Sequence, residues 1–305
     1  MSLDRLIEGI NTLKSPIVAG LDPKLEYIPD FIINETRVGG QLTFESAAEA
    51  IFEFNRRLID SLCELAPAIK PQCAYYELYG WQGMRALERT VGYAKSKGMF
   101  VITDGKRNDI DSTMEAYAQA HLGETPGLGE AFGGDALTVN GYLGSDGIRP
   151  LLKVCAARDK GIFVLVKTSN KSSGELQDKR LETGETVFEA MGEMCREWGK
   201  ELPGKYGYSG VGAVVGATYP EQLTALRQKL PETFFLVPGY GAQGGGAANV
   251  AGAFDKQGGG AVINSSRAIM CAWKKEGCDP SDFAGAARRE ALRMREEIAQ
   301  LTIEN

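Results

Sequence analysis

Residues 99–113 read MFVITDGKRNDIDST. Met99 to Ile102 are uninterruptedly apolar, and the chain then turns abruptly to charge, with three acids and two bases between Asp104 and Asp111. An apolar run without polar alternation is buried on both faces, as in a strand of a parallel sheet covered by helices. Seven further runs share this character: PIVAGL (16–21), APAIK (66–70), DALTV (135–139), GIFVLV (161–166), GVGAVVG (210–216), TFFLVPG (233–239) and GGAVIN (259–264). Helical patterns lie between them, for example at 45–65, 80–98 and 219–230, and a closing one spans 281–301. Eight strand–helix repeats in this order predict an α/β fold of the (β/α)8 TIM-barrel type, with an extra N-terminal helix closing its bottom. No Pro- or Ser-rich linker or shift in composition divides the chain, so 1–305 reads as a single domain. Two stretches exceed an ordinary connection, 23–44 after strand one and 170–186 after strand five. In a barrel both fall on the C-terminal face, where ligands bind.

Composition narrows the chemistry. A net charge of −6 argues against a nucleic-acid or anionic-membrane partner. No apolar run approaches the ~18 residues of a membrane span. The six cysteines are scattered, with no CxxC pair, and the opening MSLDRLIEGINTLKS reads as a short amphipathic helix without the apolar core of a signal. Reduced thiols and a cytoplasmic location are therefore expected. The single histidine, His121, leaves almost no room for a Ser-His-Asp triad or a multi-histidine metal site.

In a barrel, polar residues at strand C-termini point toward the ligand. That rule selects Asp22, Lys70, Asp104, Lys106, Thr138–Asn140, Thr168–Ser169, the run PGYGAQGGG (238–246) and, after the last strand, Arg267. Asp104 and Lys106 are two apart and should point to one side of their strand, with Lys70 beside them on the neighbouring strand. Asp109 and Thr113, four apart, are expected on one face at the start of the next helix. Such an array of Lys and Asp is costly to bury unless each group has the other; the alternative is a structural ion-pair network. The glycine-rich run offers unhindered N–H groups where barrels commonly bind phosphate, the alternative being a plain surface loop.

The stretch DGKRNDIDST has the D-x-K-x-x-D-I-x-x-T pattern of orotidine 5′-phosphate decarboxylases, and GLDP (20–23), KTSN (167–170), PGYGAQGGG and SSR (265–267) fall in register with it. The chain resembles the longer-chain branch of that family. The resemblance implies decarboxylation of orotidine 5′-phosphate to uridine 5′-phosphate (UMP) in de novo pyrimidine biosynthesis, without cofactor or metal. It makes Lys106 the group that stabilises the C6 carbanion and donates the proton. Asp104 and Asp109 would hold Lys106, and Lys70 would bridge Asp104 and a ribose hydroxyl. By the same resemblance Asp22 binds ribose, Ser169 contacts the pyrimidine, and Gly241, Gln243 and Arg267 surround the phosphate. It also implies a homodimer with composite sites, Asp109 and Thr113 reaching into the partner's. Two other readings are a magnesium-dependent sugar-phosphate decarboxylase or aldolase of the same barrel superfamily, and a non-catalytic nucleotide-binding barrel. His121 is expected as a helix-end residue, Trp81, Trp198 and Trp273 as packing residues, and Tyr75, Tyr76 and Tyr79 as candidates for an interface.

Overall fold

The computed structural model describes residues 2–241 and 246–303. Eight parallel strands close into a barrel in chain order. They are β1 (Ile17–Leu21), β2 (Ala68–Pro71), β3 (Phe100–Arg107), β4 (Ala136–Val139), β5 (Gly161–Lys167), β6 (Val211–Val215), β7 (Phe235–Pro238) and β8 (Ala261–Ser265). Closure is made by β8 against β1, with Ile17 opposite Ile263 and Ala19 opposite Ser265. The helices are α1 (Ser2–Leu13), α2 (Asp30–Thr36), α3 (Phe44–Leu62), α4 (Ala74–Glu77), α5 (Gly80–Ser96), α6 (Asp111–Leu122), α7 (Ser145–Arg158), α8 (Val187–Gly199), α9 (Pro220–Lys229), α10 (Arg267–Met270), α11 (Ala272–Glu276) and α12 (Phe283–Ile303). Each expected strand is present, and the long helices start at recognisable signals. Thr43 and Thr186 cap α3 and α8 through their hydroxyls, and Pro220 opens α9. None of the helices described is long and apolar enough to cross a membrane.

The pleat of the strands sorts their side chains into two cores. Outward-facing Ile17, Ala19, Ile69, Val101, Leu137 and Ile263 pack against the ring of helices. Inward-facing Val18, Ala68, Phe100, Ile102, Ala136, Phe163, Phe234, Leu236 and Val262 fill the barrel. Leu3, Leu6 and Ile7 of α1 belong to the same inner cluster, so the extra helix plugs the bottom of the barrel as expected. Arg5 fixes that plug to the sheet by donating to Asp135 at 2.9 Å. The same alternation decides what stands above the apolar filling. Two residues beyond Ala68, Ile102, Ala136 and Val262 come Lys70, Asp104, Thr138 and Asn264, all buried. Gly20, two beyond Val18, keeps this layer open: a Cβ there would lie 1.9 Å from the Ser266 hydroxyl oxygen.

Three local expectations need correction. The helix after β3 begins at Asp111, so Asp109 precedes it and only Thr113 lies in its first turn. The Asp109 carboxylate accepts instead from the adjacent Ile110 N–H at 2.8 Å. Beyond Gly246 the chain forms two short 3-10 turns, Ala247–Asn249 and Ala251–Ala253. The glycine content of this segment disfavours a longer helix. Trp81 is 66% exposed, whereas Tyr76 is fully buried and accepts a hydrogen bond from the Asn55 amide at 2.9 Å. Trp198 and Trp273 pack as expected, donating to Ser145 and to the Tyr27 carbonyl. His121 ends α6, buried and stacked on Phe132 at 5.1 Å between centroids; burial pushes its pKa down to about 4. All six cysteines are free.

Candidate active site

Asp104 is the hub of the barrel mouth. Its Oδ2 accepts from Lys70 Nζ at 2.6 Å, and its Oδ1 accepts from Lys106 Nζ at 2.6 Å and from the Thr138 hydroxyl at 2.8 Å. Three neighbouring strands, β2, β3 and β4, thus supply one carboxylate with three donors. Asp104 and Lys70 are only 6% and 5% exposed. Burial alone would raise the Asp104 pKa, but the two ammoniums outweigh it and hold the carboxyl well below the usual carboxylate range. For Lys70, burial pulls the other way, and the charges of Asp104 and Asp22 overcome it, leaving the ammonium pKa raised. Both groups are therefore charged at neutral pH.

Lys106 meets Asp104 by a different route from the one simple strand alternation suggests. Its φ is +47°, in the left-handed region, and the β3–β4 register shifts between Thr103 and Arg107. The strand breaks its pleat at Lys106, and the Thr138 hydroxyl accepts from the displaced Lys106 N–H at 3.0 Å. A non-glycine residue in this conformation costs roughly 1–2 kcal/mol, and such strain gathers at functional positions. The result leaves the Lys106 side chain 45% exposed beside a buried acid.

A cavity of about 930 Å³ opens above this layer. Asp22, Lys70 and Asp104 line it together with Gly239, Gly241 and Arg267, and Tyr27, Tyr75 and Asn264 complete the wall. Arg267 opens α10 and is exposed. Asp22 is half-buried, its Oδ1 has no hydrogen-bond partner, and its N–H donates to Met270 Sδ at 3.3 Å. Ser169 is half-buried just beyond β5 and does not line this cavity; neither do Lys106, Asp109 and Thr113, and Lys106 reaches it through Asp104, which does. Gln243 lies outside the described residues. Among the described residues no group of three or more His, Cys, Asp and Glu gathers where a metal ion would be held.

The chain matches the model of the "Orotidine 5′-phosphate decarboxylase / HUMPS family" over residues 16–276. The chain belongs to this family. Curated relatives that share the name orotidine 5′-phosphate decarboxylase include one from Rhodopirellula baltica, 45% identical over 92% of each chain. Another, from Caldicellulosiruptor bescii, is 43% identical over 97% of each chain. The solved structure of Leishmania donovani OMP decarboxylase superposes with a TM-score of 0.76 at 30% identity, covering 99% of this chain and 98% of that one. These relatives are matched over nearly the whole chain.

Some residues around the site escaped the sequence reading. Thr138 stood among the strand-end residues without a role, and only the register of β4 against β3 puts its hydroxyl between Asp104 and Lys106. Asn264 follows Val262 by two and could have been found by the same alternation that gave Lys70. Tyr27 comes from the 23–44 excursion, and no periodicity signals that it folds back over the barrel mouth.

Proposed function

We infer that the chain decarboxylates orotidine 5′-phosphate to uridine 5′-phosphate and that Lys106 meets the charge left on the ring. The observation that carries this reading is one buried carboxylate that holds two ammoniums and, together with Lys70, lines a cavity also lined by Gly239, Gly241 and Arg267. Loss of CO₂ from C6 leaves an electron pair without an obvious sink. The barrier reduction needed belongs at the upper end of the roughly 8–23 kcal/mol common to enzymes. Charge placed before the reaction begins is usually the largest single contribution. Asp104 fixes the Lys106 ammonium in advance, so little reorganises as the C6–carboxylate bond breaks. The electron pair left at C6 then takes a proton from Lys106 Nζ, forming C–H as N–H breaks. Lys70, held on the other oxygen of Asp104, and Asp22, with its unpartnered Oδ1, suit the ribose hydroxyls. Ser169 is assigned to the pyrimidine.

Gly241, Gln243 and Arg267 are assigned to the phosphate. Binding a group remote from the reacting carbon offsets the cost of orienting and desolvating the reacting end. Arg267→Ala is expected to lower kcat/KM by about 10–100-fold, the worth of charge-assisted hydrogen bonds. Added phosphite dianion should restore part of the loss. If orotidine without its phosphate turns over as well as the full substrate, the remote-binding argument fails.

The assembly is proposed to be a cytoplasmic homodimer. Leu78, Trp81, Ile110 and Tyr142 are 44–74% exposed and belong to the successive connections after β2, β3 and β4. Large apolar side chains left exposed in neighbouring connections suit an interface. Asp109 and Thr113 flank Ile110 in or just beyond the same connection and do not line their own cavity. A second copy covering this face would bring Asp109 toward the partner's half-exposed Lys106. Mixing inactive Lys106→Ala and Asp109→Ala chains is expected to regenerate activity through hybrid dimers; no recovery despite demonstrated subunit exchange would remove Asp109 from the shared site. Free thiols fit a reducing compartment.

The decisive assay follows loss of the orotate chromophore with orotidine 5′-phosphate, with and without EDTA. Turnover unaffected by chelation is expected. Activity lost on chelation and restored by magnesium would favour the metal-dependent sugar-phosphate chemistry of the same barrel superfamily, and no turnover at all would end the present reading.

A further inference from the structure

Among the buried cations that the mechanism does not use, one stands at the barrel mouth. Lys167, the last residue of β5, is fully buried, yet it carries an ammonium at the level of the barrel mouth. A lone buried charge is costly, so its partners show what it is for. Its Nζ donates to Asp178 Oδ1 at 2.6 Å and to the Ser173 hydroxyl at 3.2 Å, and it lies 4.9 Å from the centroid of the Tyr219 ring. Asp178 and Ser173 both belong to the 170–186 excursion. The ion pair therefore ties the middle of that excursion to the end of the strand from which it leaves.

A second tie sits one residue farther along. The Gln177 side chain holds Thr168 at two points, accepting from its N–H at 2.9 Å and donating to its hydroxyl at 2.7 Å. Gln222 of α9 adds a bond to Asp178 at 3.3 Å. On the far side, the Ser169 carbonyl accepts from the Thr218 hydroxyl at 3.1 Å. Gly216 lets the β6 connection come that close, since a Cβ there would stand 2.8–2.9 Å from Ser169 atoms. The two residues before Ser169 are thus tied to the excursion through Gln177 and Asp178, and Ser169 itself is tied through its carbonyl to the β6–α9 connection.

We propose that the 170–186 excursion is a clamp, with Gln177 and the Lys167–Asp178 pair as positioning residues that fix Ser169 for the pyrimidine. The proposal rests on the reading of Ser169 as the pyrimidine contact. It gives the excursion a role in the reaction: a serine at a loop edge samples several orientations, and one with its neighbour clamped holds the orientation that places C6 beside Lys106. Misplacement by about 1 Å can cost on the order of 100-fold in rate. A clamp that merely stabilises the fold would show itself in unfolding and leave the kinetics alone.

The test is a double-mutant cycle on purified full-length enzyme, read as kcat/KM for orotidine 5′-phosphate with thermal unfolding alongside. Ser169→Ala and Gln177→Ala are each expected to lower kcat/KM by about 10–100-fold. The double variant should be close to Ser169→Ala alone, because a clamp acting through Ser169 has nothing left to position. Asp178→Asn should behave like Gln177→Ala in the same cycle. Multiplying losses in both cycles, or a Gln177→Ala enzyme with unchanged kinetics and lowered melting temperature, would overturn the clamp while leaving the role of Ser169 intact. If Ser169→Ala is kinetically silent, the pyrimidine assignment falls and the clamp with it. Absence of decarboxylation in the unaltered enzyme would instead defeat the functional reading itself.

Discussion

Lys106→Ala is expected to lower kcat/KM for orotidine 5′-phosphate by at least about 10⁴-fold while the barrel stays folded. Two contributions vanish together. A preorganised charge at the site of developing negative charge is worth about 10²–10³ in kcat, and proton transfer by a positioned acid about 10²–10⁴. Residues acting as a unit are not additive, so the lower part of the combined range is the safer figure; 10⁴-fold corresponds to about 5.4 kcal/mol. The fold should tolerate the change because the side chain is 45% exposed and Asp104 keeps Lys70 and Thr138. Backbone strain supplies a second, independent readout. With φ at +47°, Lys106→Gly should be more stable than Lys106→Ala by about 1 kcal/mol, and equally inactive. Near-normal turnover in either variant would remove Lys106 as the proton donor. Equal stability of the two would mean that the backbone relaxes once the lysine is gone.

The barrel was legible because its evidence is repeated. Eight apolar runs each predict a strand buried on both faces, and one misjudged boundary leaves the other seven standing. The placement of Lys70 and Asp104 was legible for a related reason: strand alternation is a two-residue rule, and apolar residues two positions earlier establish which side faces in. The rule breaks at Lys106, where a left-handed residue and a register shift replace the pleat. No pattern in DGKRND announces that break, since Lys has no preference for positive φ. Asp109 was misplaced by extending helical spacing two residues too far, past the extended Ile110 that precedes the helix. The excursions were visible only as excess length. Their roles depend on contacts between residues distant along the chain or across a loop, such as Trp273 with the Tyr27 carbonyl or Lys167 with Asp178, and neither contact has a period.

Asp104→Ala is expected to damage both stability and activity, and the pH dependence of the damage separates its causes. Removing the carboxylate leaves the Lys70 ammonium buried without its direct partner and facing Lys106. Breaking a buried pair in this way typically costs about 3–5 kcal/mol. The folded-state pKa of Asp104 is depressed, so its contribution is fully present above the unfolded carboxylate value, about 4, and is lost as pH falls toward the folded value. The folded-state pKa of Lys70 is raised, so its contribution holds below about 10.5 and is lost as pH climbs through the folded value. The difference in unfolding free energy between the unaltered enzyme and Asp104→Asn should therefore be largest across the neutral range and narrow on acidification below about pH 4. A difference independent of pH would assign the loss to packing. Replacing both partners by apolar groups, Lys70→Met with Asp104→Leu, should recover much of the stability, because a buried pair exchanged for hydrophobic residues is often neutral or stabilising. The same double variant should remain without measurable decarboxylation, since Lys106 would have no carboxylate to hold it. Recovered stability without recovered turnover would place the buried charges in the service of the reaction; failure to recover stability would make them part of what keeps the barrel mouth folded.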